Sequence, residues 1–130
     1  MITIDGSFGE GGGQILRTSL SLAAITGESV TIENIRANRS KPGLRPQHLT
    51  AALAVAQICG GELTGGAVDS RQLTFRPGRI KPGKYDLDVS AVRSSAGSTN
   101  MVLQTILWPL AFTGKSSHVT IKGGTHNTHA

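Results

Sequence analysis

The sequence predicts a mixed α+β fold: a βαβαββ unit over residues 1–83, with helices packed on one face of a mixed sheet, followed by an incomplete second unit over 84–130. Two observations predict it. Short runs in which apolar residues alternate by two are interleaved with longer runs in which they recur every three or four positions. The pattern then starts again. Leu22-Ala23-Ala24-Ile25-Thr26-Gly27 followed by Val30-Thr31-Ile32 is echoed by Leu110-Ala111-Phe112-Thr113-Gly114 followed by Val119-Thr120-Ile121.

Ile2 to Asp5 reads as a short strand. Gln14 to Ile25 reads as a helix with Leu16, Leu20, Ala23 and Ala24 on one face, stopped by Gly27. Ser29 to Ile35 alternates as a strand, with Val30 and Ile32 on one side. A basic loop covers Arg36 to Pro46. A second helix, Gln47 to Ile58, ends at Gly60-Gly61. Glu62 to Val68 and Arg71 to Phe75 read as two strands joined by a tight turn. In the second unit, Lys84 to Val89 is a strand and Ser94-Ser95-Ala96-Gly97-Ser98 a small-residue loop. Thr99 to Phe112 is a helix that Pro109 should kink or shorten, and His118 to Lys122 is a strand. Nothing after Gly123-Gly124-Thr125-His126 supplies the remaining helix and two strands. Such a half unit is expected to expose an apolar sheet face and an edge, and to complete itself by association.

The 130 residues suit one domain of ordinary size, and 38% hydrophobic residues allow a real core. With aromatics at 4%, that core must be aliphatic. Thirteen basic residues against eight acidic ones give a formal charge of +5, which favours polyanionic partners. A single cysteine, Cys59, excludes an intramolecular disulfide. It closes the apolar pattern Leu49, Ala52, Leu53, Val55, Ala56 and reads as a buried structural thiol. No apolar run is long enough for a membrane span, and no signal pattern opens the chain, so a cytoplasmic protein without membrane contact is expected.

The chemistry concentrates in two loops. Gly9-Glu10-Gly11-Gly12-Gly13-Gln14-Ile15-Leu16-Arg17 lets a backbone approach a ligand closely and runs into a helix N-terminus, with Arg17 one turn inside. Such a site suits a phosphate, with Glu10 placed to hold the metal ion that accompanies a nucleotide. It lacks the Gly-Lys-Ser/Thr of a Walker loop, and a tight turn is the plain alternative. The second loop, Arg36 to Arg45, carries Arg36, Arg39, Lys41 and Arg45 around a Pro42-Gly43 turn, and reads as a phosphate-binding loop or a solvated basic one. Gln47-His48 opens the helix that follows. Gln104, an amide amid Val102, Leu103, Ile106 and Leu107, faces either solvent or a ligand. His118, His126 and His129 lack the spacing and partners of a zinc site.

The glycine loop with Arg17, Ile35-Arg36-Ala37, Arg39, Lys41-Pro42-Gly43-Leu44, Gln47-His48-Leu49, Phe75-Arg76-Pro77-Gly78, Ser95-Ala96-Gly97-Ser98, Leu103-Gln104-Thr105 and Gly123-Gly124-Thr125 follow one another as in RNA 3′-terminal phosphate cyclases. The sequence resembles the N-terminal portion of that family along essentially its whole length. The resemblance implies tandem βαβαββ units like the C-terminal domain of bacterial translation initiation factor three. It also implies an ATP-dependent reaction. AMP is attached to a histidine, passes to the 3′-phosphate of an RNA end, and leaves as the neighbouring 2′-hydroxyl closes a 2′,3′-cyclic phosphate. The cofactors implied are ATP and a divalent metal, magnesium or manganese.

By the same resemblance, Glu10 contacts the metal and Gln104 contacts ATP. Gln14 and Arg17 belong with the nucleotide, while Arg36, Arg39, Gln47 and His48 belong with the RNA phosphate. The family's enzymes are more than twice this length, and their adenylylated histidine lies near the far C-terminus. None of His48, His118, His126 or His129 matches it, so a chain of these residues alone is expected not to adenylylate itself. A complementing C-terminal half or a homo-oligomer is the expected partner, besides ATP and the RNA end. The competing reading is a non-catalytic relative acting in RNA binding or ribosome assembly. Those relatives lose the Gly-Glu-Gly-Gly-Gly-Gln stretch, which stands intact here.

Overall fold

A computed structural model describes residues 1–8, 13–88 and 96–122. Along the chain these form β1 (Ile2–Asp5), α1 (Gly13–Thr26), β2 (Val30–Glu33), α2 (Pro46–Cys59), β3 (Glu62–Thr64), β4 (Leu73–Arg76), β5 (Lys84–Asp88), α3 (Ala96–Ala111) and β6 (His118–Lys122). The four strands before residue 77 make one mixed sheet in the order β1-β2-β4-β3. β1 runs parallel to β2 with Ile2 opposite Val30, and β4 is antiparallel to both of its neighbours. β5 and β6 make a second, parallel pair with Lys84 opposite His118. The mixed α+β class and the order of elements are those the sequence predicts.

The core is aliphatic. Leu16, Leu20, Ala23 and Ala24 of α1 are all buried, as their spacing requires. They meet Val30, Ile32, Leu73 and Phe75 of the sheet together with Ala51, Ala52, Val55 and Ile58 of α2. α3 packs on both α1 and α2 through Val102 and Ile106. Cys59 is buried, and its thiol donates to the Val55 carbonyl at 3.2 Å, so it is the structural thiol expected. Gly27 and Gly60 end α1 and α2 in the left-handed region.

Four details differ from the sequence-based expectation. β2 stops at Glu33, because Asn34 and Arg36 adopt positive φ values that no strand accommodates. β3 is three residues long, and its link to β4 is no tight turn: residues 65–72 form a loop that folds back on Gly43-Leu44. There Asp69 N–H donates to the Leu44 carbonyl and Leu44 N–H to the Ser70 carbonyl. Pro109, expected to kink or shorten α3, sits inside a helix that starts earlier than expected, at Ala96, and runs to Ala111. A proline at 109 deprives the Thr105 carbonyl of its helical donor, and Ser21 of α1 supplies one instead, Oγ to carbonyl at 2.5 Å in a buried contact. Finally, exposed apolar surface lies on the helices rather than the second sheet. Leu107, Trp108 and Phe112 are well exposed, while Leu87 is buried and Tyr85, Val119 and Ile121 pack against the core.

Candidate phosphate-binding site

β1 ends in a polar turn that leads into the glycine loop. The Asp5 carboxylate accepts from the Ser7 hydroxyl at 2.6 Å and from the Ser7 N–H at 3.0 Å, and these bonds hold it below the usual carboxylate range. Glu10 and its neighbours from 9 to 12 lie outside the described residues, as do residues 89–95, His126 and His129; of the second small-residue loop, Ala96 to Ser98 belong to α3 rather than to a loop. Description resumes at Gly13, the first residue of α1.

Gly13 is where the site closes up. A Cβ built there would stand 2.6 Å from His48 Nε2, 2.8 Å from His48 Cδ2 and 2.9 Å from Arg17 Nη1. A side chain at that position would force the imidazole or the guanidinium to move, because both press against the first turn of α1. Arg17 is also tied along its own helix. Its Nη2 donates to Gln14 Oε1 at 3.1 Å, and Gln14 Nε2 donates to Thr18 Oγ1 at 2.9 Å. Partial burial disfavours the charge on Arg17.

His48 sits in the first turn of α2, after Pro46 at the helix start. Its ring does unusual work there. Nδ1 accepts the backbone N–H of Arg45 at 3.2 Å, the part a Glu or Gln side chain plays in a capping box. The residue is only 5% exposed. Burial, then the charges of Arg36, Arg17 and Arg45, push its pKa down to about 4, so the imidazole is neutral at pH 7. With Nδ1 acting as acceptor, the ring proton must sit on Nε2. Among the described residues that N–H has no hydrogen-bond partner.

The basic loop supplies the rest of the field. Arg36, held at φ 51°, donates through Nη1 to the carbonyls of Lys41, at 2.5 Å, and Gly43, at 3.4 Å, so it staples the loop as well as charging it. Burial and the neighbouring Arg39 and Arg45 disfavour its charge. Like-charge crowding of this kind is relieved by an anion. Arg45 pairs with Asp69 at 2.6 Å, and that is the salt bridge found among the described residues.

A second feature adjoins the first through Arg17. A cavity of about 660 Å³ runs between α1 and α3, with Gln14, Arg17 and Gln104 at its polar positions and Trp108 and Phe112 along its apolar ones. Its volume is in the range that holds a nucleotide-sized ligand. The structure therefore brings Gln14, Arg17 and Gln104 to one groove, and Arg17, Arg36 and His48 to one basic cluster. Arg39 is exposed at the rim of that cluster, close enough for its charge to act on Arg36. Gln47 is half-buried beside His48, and no hydrogen bond joins its side chain to the described residues.

Three roles come from the structure alone: Arg45, one of the four loop cations, as a source of charge on His48, Asp69 as the counter-ion of Arg45, and Gly13 of the glycine loop as the point of closest approach. The Arg45-Pro46 dipeptide at a helix start was the legible signal for the first. Nothing local marks Asp69, which reaches Arg45 only through the loop at 65–72.

A chain with this loop order, basic cluster and groove matches the model for RNA 3′-terminal phosphate cyclase over residues 8–130. The chain belongs to the RNA 3′-terminal phosphate cyclase family. It is 61% identical over 129 residues to the RNA 3′-terminal phosphate cyclase of Nostoc sp., covering 97% of this chain and 37% of that protein. It is 52% identical over 125 residues to the one from Pyrococcus furiosus, covering 96% of this chain and 35% of the relative. A relative from Koribacter versatilis is 55% identical over all of this chain and 36% of its own length. The chain thus spans little more than a third of the cyclases it matches. No helix among the described residues is long and apolar enough to cross a membrane.

Proposed function

We propose that this chain supplies the N-terminal wall of an ATP-dependent RNA 3′-phosphate cyclase, a ligase acting in the cytoplasm on RNA ends. The observation that carries the reading is the convergence of His48 Nε2 and Arg17 Nη1 on Gly13, at the N-terminus of α1. Helix dipole, guanidinium and imidazole N–H then all present positive potential to one place. A phosphate bound there would be opposite Arg36 and within the field of Arg39 and Arg45.

The groove between α1 and α3 is assigned to ATP, with Gln104 and Gln14 as polar contacts and Arg17 shared between nucleotide and RNA phosphate. Arg36, Arg39, Gln47 and His48 are assigned to the RNA end. These residues bind and orient. They offset the charge that keeps a second anion away from a phosphate.

A divalent metal, magnesium or manganese, is assigned to Glu10. Among the described residues no three metal-ligating side chains gather, and a metal at Glu10 would draw its other ligands from the oxygens of its nucleotide. Such an ion would withdraw charge from the phosphoryl group under attack. No histidine of this chain is assigned the role of accepting AMP. His48 is neutral, buried and engaged through Nδ1.

The test mixes the chain with labelled ATP and RNA bearing a 3′-phosphate, with and without the remainder of a cyclase added in trans. Cyclic phosphate is expected only with the added part. Label on this chain alone would refute the assignment of the nucleophile elsewhere, and failure of the mixture to cyclise would favour a non-catalytic RNA-binding role.

A further inference from the structure

We propose that the loop at 65–72 is a clasp on the basic loop, with Asp69 as its positioning residue, a role that rests on the assignment of Arg36 and Arg39 to the RNA end. The basic loop has a difficulty of its own. Arg36, Arg39, Lys41 and Arg45 stand between positions 36 and 45 with no acidic residue among them. Like charges at that density repel and extend a chain. Both ends of the loop are nevertheless fastened to the same short segment. At its start, Ile35 N–H donates to the Arg71 carbonyl at 3.0 Å. At its end, Leu44 N–H donates to the Ser70 carbonyl at 2.9 Å, and Asp69 N–H donates to the Leu44 carbonyl at 2.8 Å. One more bond, Gly43 N–H to the Ile35 carbonyl at 2.9 Å, draws the two ends together.

Asp69 is the residue on which the clasp turns. It is held at φ 73°, a left-handed conformation that Asp tolerates better than most side chains and that persists where its surroundings fix it. Gly43, at φ 88°, lies flush against it: a Cβ there would stand 2.5 Å from the Asp69 carbonyl oxygen. In this posture the Asp69 carboxylate meets Arg45 Nη1 at 2.6 Å. The Asp69 side chain is 73% exposed, and a pair so open to water adds little to stability. What it supplies is direction. Arg45 is drawn toward the 65–72 loop, while Arg36 spans the basic loop through its bonds to the Lys41 and Gly43 carbonyls. A loop already closed in this form has less freedom to lose when it takes up an anion.

Asp69→Asn is the decisive variant. Asparagine also accepts the left-handed backbone and keeps the N–H to Leu44, and only the charge is lost. Electrostatics alone predicts tighter anion binding, since a negative charge leaves a cationic cluster. Positioning predicts the opposite. In calorimetry on the chain, an RNA oligonucleotide with a 3′-phosphate should bind roughly fivefold more weakly, the upper range for an exposed ion pair. ATP affinity and the urea midpoint should stay at their wild-type values. Unchanged or tighter RNA binding overturns the proposal and leaves the site reading standing. An equal loss for RNA and ATP, with a lower urea midpoint, also overturns it, as the mark of a residue that merely supports the fold. If the wild type does not prefer 3′-phosphate RNA to the same RNA with a 3′-hydroxyl, both the clasp's role and the site reading fall. Amide hydrogen exchange on the wild-type chain needs no variant. The Ile35, Gly43 and Leu44 amides should be protected and exchange as one group. Exchange of Ile35 and Leu44 at the rate of an unstructured chain, with α1 protected, overturns the clasp whatever the chain binds.

Discussion

The two regions that meet at Arg17 are built on opposite plans. The cluster at the start of α2 is cationic and tightly bonded around a buried imidazole: His48 caps Arg45, Arg36 staples its loop and Asp69 holds Arg45. The groove between α1 and α3 is open and largely apolar, with Trp108 and Phe112 mostly exposed. Fixed donors on a rigid element suit recognition of one compact anion. An apolar trough with a few amides suits a larger, flatter body. The contrast teaches that Arg17 matters more than either neighbourhood alone indicates, because it alone belongs to both.

Substitution of Arg17 by Ala should therefore have the largest effect. Loss of a charge-assisted hydrogen bond of roughly 1.5–3 kcal/mol predicts at least a tenfold weaker affinity for ATP and for 3′-phosphate RNA alike. An effect on only one ligand, measured by calorimetry, would separate the two regions. Gly13→Ala acts chiefly on the cluster. Its methyl would collide with the His48 ring and Arg17, and about 1–3 kcal/mol of stability should be lost in denaturant unfolding, with weaker phosphate binding and a groove left open.

The cluster should also give the chain a pH-dependent stability that the groove does not. His48 titrates near 4 when folded and near 6.5 when unfolded, so the unfolded chain binds the extra proton between those values. Stability is then full above about pH 6.5 and falls as pH drops toward 4. After allowance for solvent near the ring, the loss attributable to His48 is about 2 kcal/mol, and His48→Gln should abolish that part of the slope. Urea titrations at several pH values measure it.

On the groove side, Ser21→Ala leaves the Thr105 carbonyl without its donor and should cost about 1 kcal/mol. Pro109→Ala restores a helical N–H to that carbonyl. A double-mutant cycle should accordingly show a smaller Ser21 effect in the Pro109→Ala background. Smallest of all is Trp108→Ala, whose exposed ring should change the stability of this chain by no more than about 0.5 kcal/mol while weakening ATP more than RNA.

Legibility in the sequence followed the range of the interaction. The buried face of α1 was readable because helical period is local, and Leu16, Leu20, Ala23 and Ala24 needed only their spacing. Motif order names Gln14, Arg17, Arg36 and His48 as candidates, and only the fold shows how they lie together. What failed depended on distant groups. The donor that replaces the one Pro109 removes is not readable from spacing, because Ser21 lies in another helix. The loop at 65–72 looked like a tight turn because its partners, Gly43 and Leu44, lie across the molecule.

By itself, then, the sequence determined the α+β class, the element order, the aliphatic core and the family to which the chain belongs. Each depends on neighbours within a turn or a strand, or on motifs in order. Only the tertiary structure decided that the His48 ring caps a helix with one nitrogen and presses the other against Gly13 beside Arg17. That outcome needs α1, α2 and the basic loop packed together, because burial and three arginines from separate segments fix the charge of a ring that any one segment would leave free to titrate.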